Sequence, residues 1–133
     1  MILEQLTELK IVDVLDRGVP NKECIAISVK ANLNTAPYGV LLGVTANNQS
    51  LAVPARDNFF WFGEGLINTG DWIFLYTGSG EPSVTRTVDG LSNIYTLYWG
   101  RPMTMFYNLS FVPTLFRMDS VQVAPVGAAL PQG

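Results

Sequence analysis

Glu23-Cys-Ile-Ala-Ile-Ser-Val-Lys30 alternates without interruption. In an extended chain Ile25, Ile27 and Val29 fall on one face and Cys24, Ala26 and Ser28 on the other. The aliphatic face is expected to be core, while the small face lets another layer or another chain approach closely. Asp71-Trp-Ile-Phe-Leu-Tyr76 is apolar on both faces, as in a central strand covered on both sides. Outward from these two stretches, short β-branched and aromatic runs recur between turn signals, the rhythm of a sandwich or barrel. Strands are expected at 10–15, 23–30, 39–45, 51–53, 59–62, 71–76, 84–88, 94–99, 112–117 and 120–124. The breaks are chemically explicit. Gly18-Val-Pro-Asn21, Asn47-Asn-Gln-Ser50, Thr77-Gly-Ser-Gly80 and Asp89-Gly90 combine residues that tolerate positive φ or pre-set a turn. Asp89-Gly90 suits a two-residue type I′ hairpin.

Ile2, Leu3, Leu6 and Leu9 have the spacing of one or two helical turns. The last residues carry two prolines and no periodicity, as a flexible tail or an arm ordered only against a neighbour does. The expected organisation is an N-terminal segment over 1–9, one all-β sandwich domain over 10–125, and a flexible tail over 126–133. A length of 133 residues suits one domain that folds without metals or disulfides.

Charged residues make up only 14% of the chain, so much of its surface must be uncharged or apolar. That points to contact area with a protein partner or with copies of itself, a homo-oligomer. The net charge of −3, with basic residues scattered singly, argues against a nucleic-acid partner. No apolar run reaches the roughly 18 residues of a membrane span, so no membrane partner is expected. The single Cys24 excludes an internal disulfide, and the first ten residues lack the pattern of a secretory signal. A cytoplasmic or virion location follows as the expectation.

From residue 23 to 124 the order of features resembles the lamin-tail domain, the immunoglobulin-like module that ends nuclear lamins and also occurs in many bacterial proteins. The residues that carry the likeness are the alternating strand, Asn32-Leu-Asn34 and Tyr38-Gly-Val-Leu-Leu42. They continue with Phe59-Phe-Trp-Phe62, Leu66, Gly70-Asp71, the apolar strand to Tyr76, Thr77-Gly-Ser-Gly80 and Leu97-Tyr-Trp-Gly100. Tyr38 stands where the family usually has Trp, and Met103-Thr-Met-Phe-Tyr107 is apolar where it is usually polar. The resemblance implies a two-sheet immunoglobulin-like β-sandwich of bacterial or phage type and a habit of binding. It carries over no catalytic residue.

The chain has no histidine, which removes Ser-His-Asp and Cys-His catalysis and imidazole metal sites. A nucleophilic Cys24 would need a neighbouring base or cation, and on its strand face it has Ala26 and Ser28 beside it, as a small half-buried residue does. Asp57, Glu64 and Asp71 flank the aromatic strand as paired carboxylates of a hydrolase would, and equally as ordinary turn formers. Asp13 and Asp16 with Glu23 could hold calcium, yet a strand end and a proline-containing turn divide them, as suits ordinary exposed carboxylates.

No catalytic residue, metal or cofactor is expected, and the chain is read as not an enzyme. Four successive rings at 59–62 put two on each face of a strand, so one pair lies away from its own core. The expected function is a non-catalytic protein–protein interaction or assembly module, a self-assembling structural component of a virion or of host defence being one form. Its interaction surface is expected to include Trp61, Phe62, Met103, Met105, Phe106 and Tyr107. The alternative is a carbohydrate- or nucleotide-binding, or carboxylate-hydrolase, β domain.

Overall fold

The computed structural model describes residues 5–45, 53–127 and 131. The described chain is all-β. Its strands are β1 (Leu9–Leu15), β2 (Cys24–Val29), β3 (Leu33–Asn34), β4 (Tyr38–Val44), β5 (Val53–Trp61), β6 (Leu66–Ile67), β7 (Trp72–Tyr76), β8 (Ser83–Arg86), β9 (Asn93–Tyr98) and β10 (Phe111–Arg117). A five-stranded sheet runs β1-β2-β7-β9-β8, a three-stranded sheet β10-β4-β5, and β3 and β6 pair separately. All neighbours are antiparallel except β7 and β9, which run parallel. The sheets do not close into a barrel.

One core joins the two larger sheets. Ile25, Ile27, Ile73 and Leu75 meet Tyr38, Val40 and Phe106, with Phe60, Phe62, Tyr95, Leu97 and Leu115 packed around them. Burying a branched aliphatic side chain of this kind contributes about 1.5–3 kcal/mol. The aliphatic face of β2 is therefore core, as its alternation requires. Its small face is buried too, because Cys24, Ala26 and Ser28 stand opposite the rings of Tyr76, Phe74 and Trp72. Burial first, and negative Asp16 second, push the Cys24 thiol up to about 12.

Several expectations change. β7 is central, yet only Ile73 and Leu75 are buried; Trp72, Phe74 and Tyr76 form a half-exposed ladder on the outer face. Segments 51–53 and 59–62 are parts of one strand, β5, with residues 51 and 52 outside the described residues. β8 and β9 are joined by 87–92, longer than a two-residue turn, because Asp89 Oδ1 accepts from the Leu91 amide at 3.0 Å and Thr87 N donates to Ser92 O at 2.9 Å. The helical turn near the start is absent from residues 5–8, and residues 1–4 lie outside the described residues. The extended chain there already places Leu6 and Leu9 on the core, and Lys30 N donates to Glu8 O at 2.8 Å. Residues 120–124 form no strand.

The start of β1, the start of β4 and the end of β10 are tied by one polar network. The Tyr38 hydroxyl and Arg117 Nη1 both donate to Glu8 Oε2 at 2.7 Å, and Arg117 Nε donates to Asp119 Oδ1 at 2.7 Å. The Tyr38 hydrogen bond, then Glu8's own amide, and also Arg117, hold the Glu8 carboxyl down at about 2, against its ordinary 4.5. A depressed carboxyl adds stability that is complete above the unfolded value and is lost as pH falls through the folded one. Between pH 5 and pH 2 the chain should therefore lose about 1–2 kcal/mol more than Glu8→Gln, after allowance for solvent screening. Urea midpoints for both at each pH check this; parallel pH profiles would contradict it.

Candidate interaction surface

The outer face of the three-stranded sheet is built from β4 outward. Gly39, Leu41 and Gly43 pair with Trp61, Phe59 and Pro54 of β5, and with Phe116, Thr114 and Val112 of β10. None of these side chains is charged. Gly39 is required by close approach: a Cβ there would lie 2.5 Å from the Phe60 carbonyl oxygen and 2.6 Å from Phe116 Cζ. Over this floor Phe116 meets Trp61 edge-on at 5.2 Å between ring centroids, and Phe59 at 6.3 Å. Phe59 remains 54% exposed and Trp61 39%. Large rings left in water, as Phe59 and Trp61 are, are costly unless something covers them.

The other part of the expected surface, residues 101–110, is anchored from below by a buried carboxylate. The turn after β1 uses positive φ at Asp16, Gly18 and Asn21 and brings the chain back into β2 at Glu23. Glu23 is 1% exposed. Its Oε1 accepts from Met105 N at 2.7 Å and Thr77 Oγ1 at 2.9 Å; its Oε2 accepts from Gly18 N at 2.7 Å and Phe106 N at 3.1 Å. Four donors around an acceptor-only group satisfy its lone pairs within the protein. Arg17 Nη1 adds bonds to the carbonyls of Phe106 and Phe111, both at 3.3 Å.

This anchoring divides the expected surface residues. Met105 and Phe106 are core, with Phe106 at 0% exposure, because their amides are drawn down onto Glu23. Phe62 is also turned inward against the core. Trp61, Met103 and Tyr107 are exposed. Phe59 and Phe116 belong with them; the alternation of 59–62 holds the signal for Phe59, whereas Phe116 shows only once β10 is paired with β4. Two shallow grooves, of about 220 and 310 Å3, flank Pro102 and Met103.

The carboxylates do not assemble as a catalytic pair. Asp71 is buried and accepts from the amides of Asn68 at 2.9 Å and Asn93 at 3.0 Å, which pins the start of β9. Glu64 lines a cleft of about 250 Å3 with Phe62, Tyr95 and Leu97, and Asp71 is not part of its wall. The side chain of Asp57 lies outside the described residues. Among the described residues no group of three His, Cys, Asp or Glu could hold a metal, and Glu23 is surrounded by hydrogen-bond donors.

The described chain is thus all-β, its two larger sheets joined by one core, with exposed rings on the outer face of the three-stranded sheet and a loop at 101–110 seated on Glu23. Comparison with family models, curated proteins and solved structures gave no significant match. No helix among the described residues is long and apolar enough to cross a membrane.

Proposed function

We propose that the chain is a non-catalytic protein–protein interaction or assembly module, built as an immunoglobulin-like sandwich of the lamin-tail type. The observation that carries this reading is the ring cluster of exposed Phe59 and Trp61 with half-buried Phe116 on the outer face of the three-stranded sheet. Aromatic rings on a rigid floor are the usual anchors of protein interfaces, since they bury large area at little cost in side-chain entropy. Met103 and Tyr107, on a loop held by Glu23, extend the same apolar character. The lamin-tail resemblance, carried in part by the same Phe59–Phe62 stretch, is in keeping with a binding role. Self-assembly into a structural or virion component is the form the low charge favours.

Light scattering at rising micromolar concentration tests the reading. Association of the native chain is expected, and Phe59→Ser with Trp61→Ser should weaken it about tenfold or more with little change in melting. A strict monomer, or an assembly indifferent to both substitutions, overturns the surface as its basis.

A further inference from the structure

We infer that Arg101 of one copy receives the Glu64 carboxylate of a second copy, with Leu66 of that copy seated in the grooves beside Met103. This rests on the self-assembly form of the proposed function and specifies its contact.

Arg101 differs from the other arginines. Arg17 Nη1 donates to the carbonyls of Phe106 and Phe111, Arg86 Nη1 to that of Gly90, and Arg117 to Glu8 and Asp119. Among the described residues the Arg101 guanidinium holds no hydrogen bond or ion pair. Its backbone is nevertheless fixed, since Gly100 N donates to Gly78 O at 2.9 Å and Arg101 N to Thr77 O at 2.8 Å. The half-buried side chain borders both grooves beside Pro102 and Met103. No carboxylate lines either groove among the described residues, and Glu23, behind Thr77, is already surrounded by four donors. A fixed guanidinium between apolar walls is built to take one carboxylate. Its planar fork binds both oxygens, and arginine so placed is a common anchor of protein interfaces.

The chain carries an acid of matching form. Glu64 is exposed on the turn at 63–66 and holds no hydrogen bond or ion pair among the described residues. The turn itself is held, because Thr35 Oγ1 donates to Gly63 O at 2.6 Å and Thr35 N to Gly65 O at 2.8 Å. Glu64 and Leu66 border the same cleft, and Leu66 is 78% exposed. A carboxylate and a large apolar side chain are thus presented together, as the guanidinium and its grooves require. In one chain the two sites are apart: the 63–70 segment leads into the start of β7, whereas Arg101 is bonded just past its end. A second copy must bring them together.

The other described acids fit less well. Asp13 and Asp89 accept from backbone amides, and Glu8 and Asp119 hold Arg117. Asp16 belongs to the turn whose Pro20 and Asn21 wall the first groove, and Glu81, between Gly80 and Pro82, has no large apolar neighbour.

Arg101→Glu, Glu64→Arg and the double exchange are compared with the native chain by light scattering. Neither side chain has a partner within the chain, so melting should be unchanged. The inference expects an associated native chain, association at least about tenfold weaker in each single variant, and recovery in the double exchange. Either single variant associating as the native chain does, or a double exchange no better than the single ones, overturns the pairing. The ring surface then stands if Phe59→Ser with Trp61→Ser still weakens the assembly. Recovery in the double exchange, with no effect of the ring substitutions, supports the pairing and removes the rings as the basis of assembly. A monomer overturns the pairing and self-assembly together.

Discussion

Replacing Glu23 by alanine is expected to lower the stability of the folded chain by about 4 kcal/mol, the largest effect of any single polar substitution here. The reason is the number of groups left behind. Met105 N, Phe106 N, Gly18 N and the Thr77 hydroxyl all lose their acceptor at once, in a place water scarcely reaches. Each buried donor without a partner costs about 1–3 kcal/mol, partly relieved by relaxation. Glu23→Gln keeps the volume but turns an amide donor toward two existing donors, so it should recover no more than about half the loss. Thr77→Val removes one bond of four and should cost about 1 kcal/mol. Urea unfolding of the three variants gives the order. A Glu23→Ala loss below about 1 kcal/mol would show that the carboxylate is not the anchor of the 101–110 loop.

Phe106→Ala should cost about 3–5 kcal/mol, the range for deleting a fully buried aromatic ring. Phe106 has no exposed surface and joins the cluster that holds Ile25, Ile73 and Val40. Phe106→Asp goes further, placing a carboxylate among aliphatic side chains, and should leave the chain unfolded at room temperature. Met103→Ser and Tyr107→Ser, three residues before and one after, should change stability by less than about 0.5 kcal/mol, because both side chains stand in solvent. Thermal melting separates these cases at once. Equal effects at 103 and 106 would mean that the loop is not held in the described orientation.

The contrast between neighbours marks where sequence reasoning reaches and where it stops. The aliphatic face of β2 is legible because period-two alternation marks it, whereas β7 is apolar at every position and only the fold shows that Ile73 and Leu75 face the core. The 101–110 loop carries large apolar side chains at 103, 105, 106, 107 and 109, so hydrophobicity alone does not say which of them enter the core. That is decided by Glu23, more than eighty residues earlier, whose oxygens select two particular amides. Glu23 reads as an ordinary surface acid or a calcium ligand until the turn at 16–23 has folded. The two-residue strands β3 and β6 are too short to show any period. The pattern at 120–124 is present but finds no ladder among the described residues. Pairing is a property of two segments, and alternation describes only one.

The β4–β10 pairing also sets a timetable for the chain as it is made. β4 ends at Val44 and waits for a partner that begins at Phe111. At about 5–20 residues per second of synthesis, that edge emerges several seconds before the strand that closes it. Over the same interval the cavity reserved for Phe106 is open and the glutamate that will seat the loop has no amides to hold. A nascent chain in that condition offers a bare sheet edge beside apolar surface, so the yield of folded protein should depend on how crowded the newly made chains are.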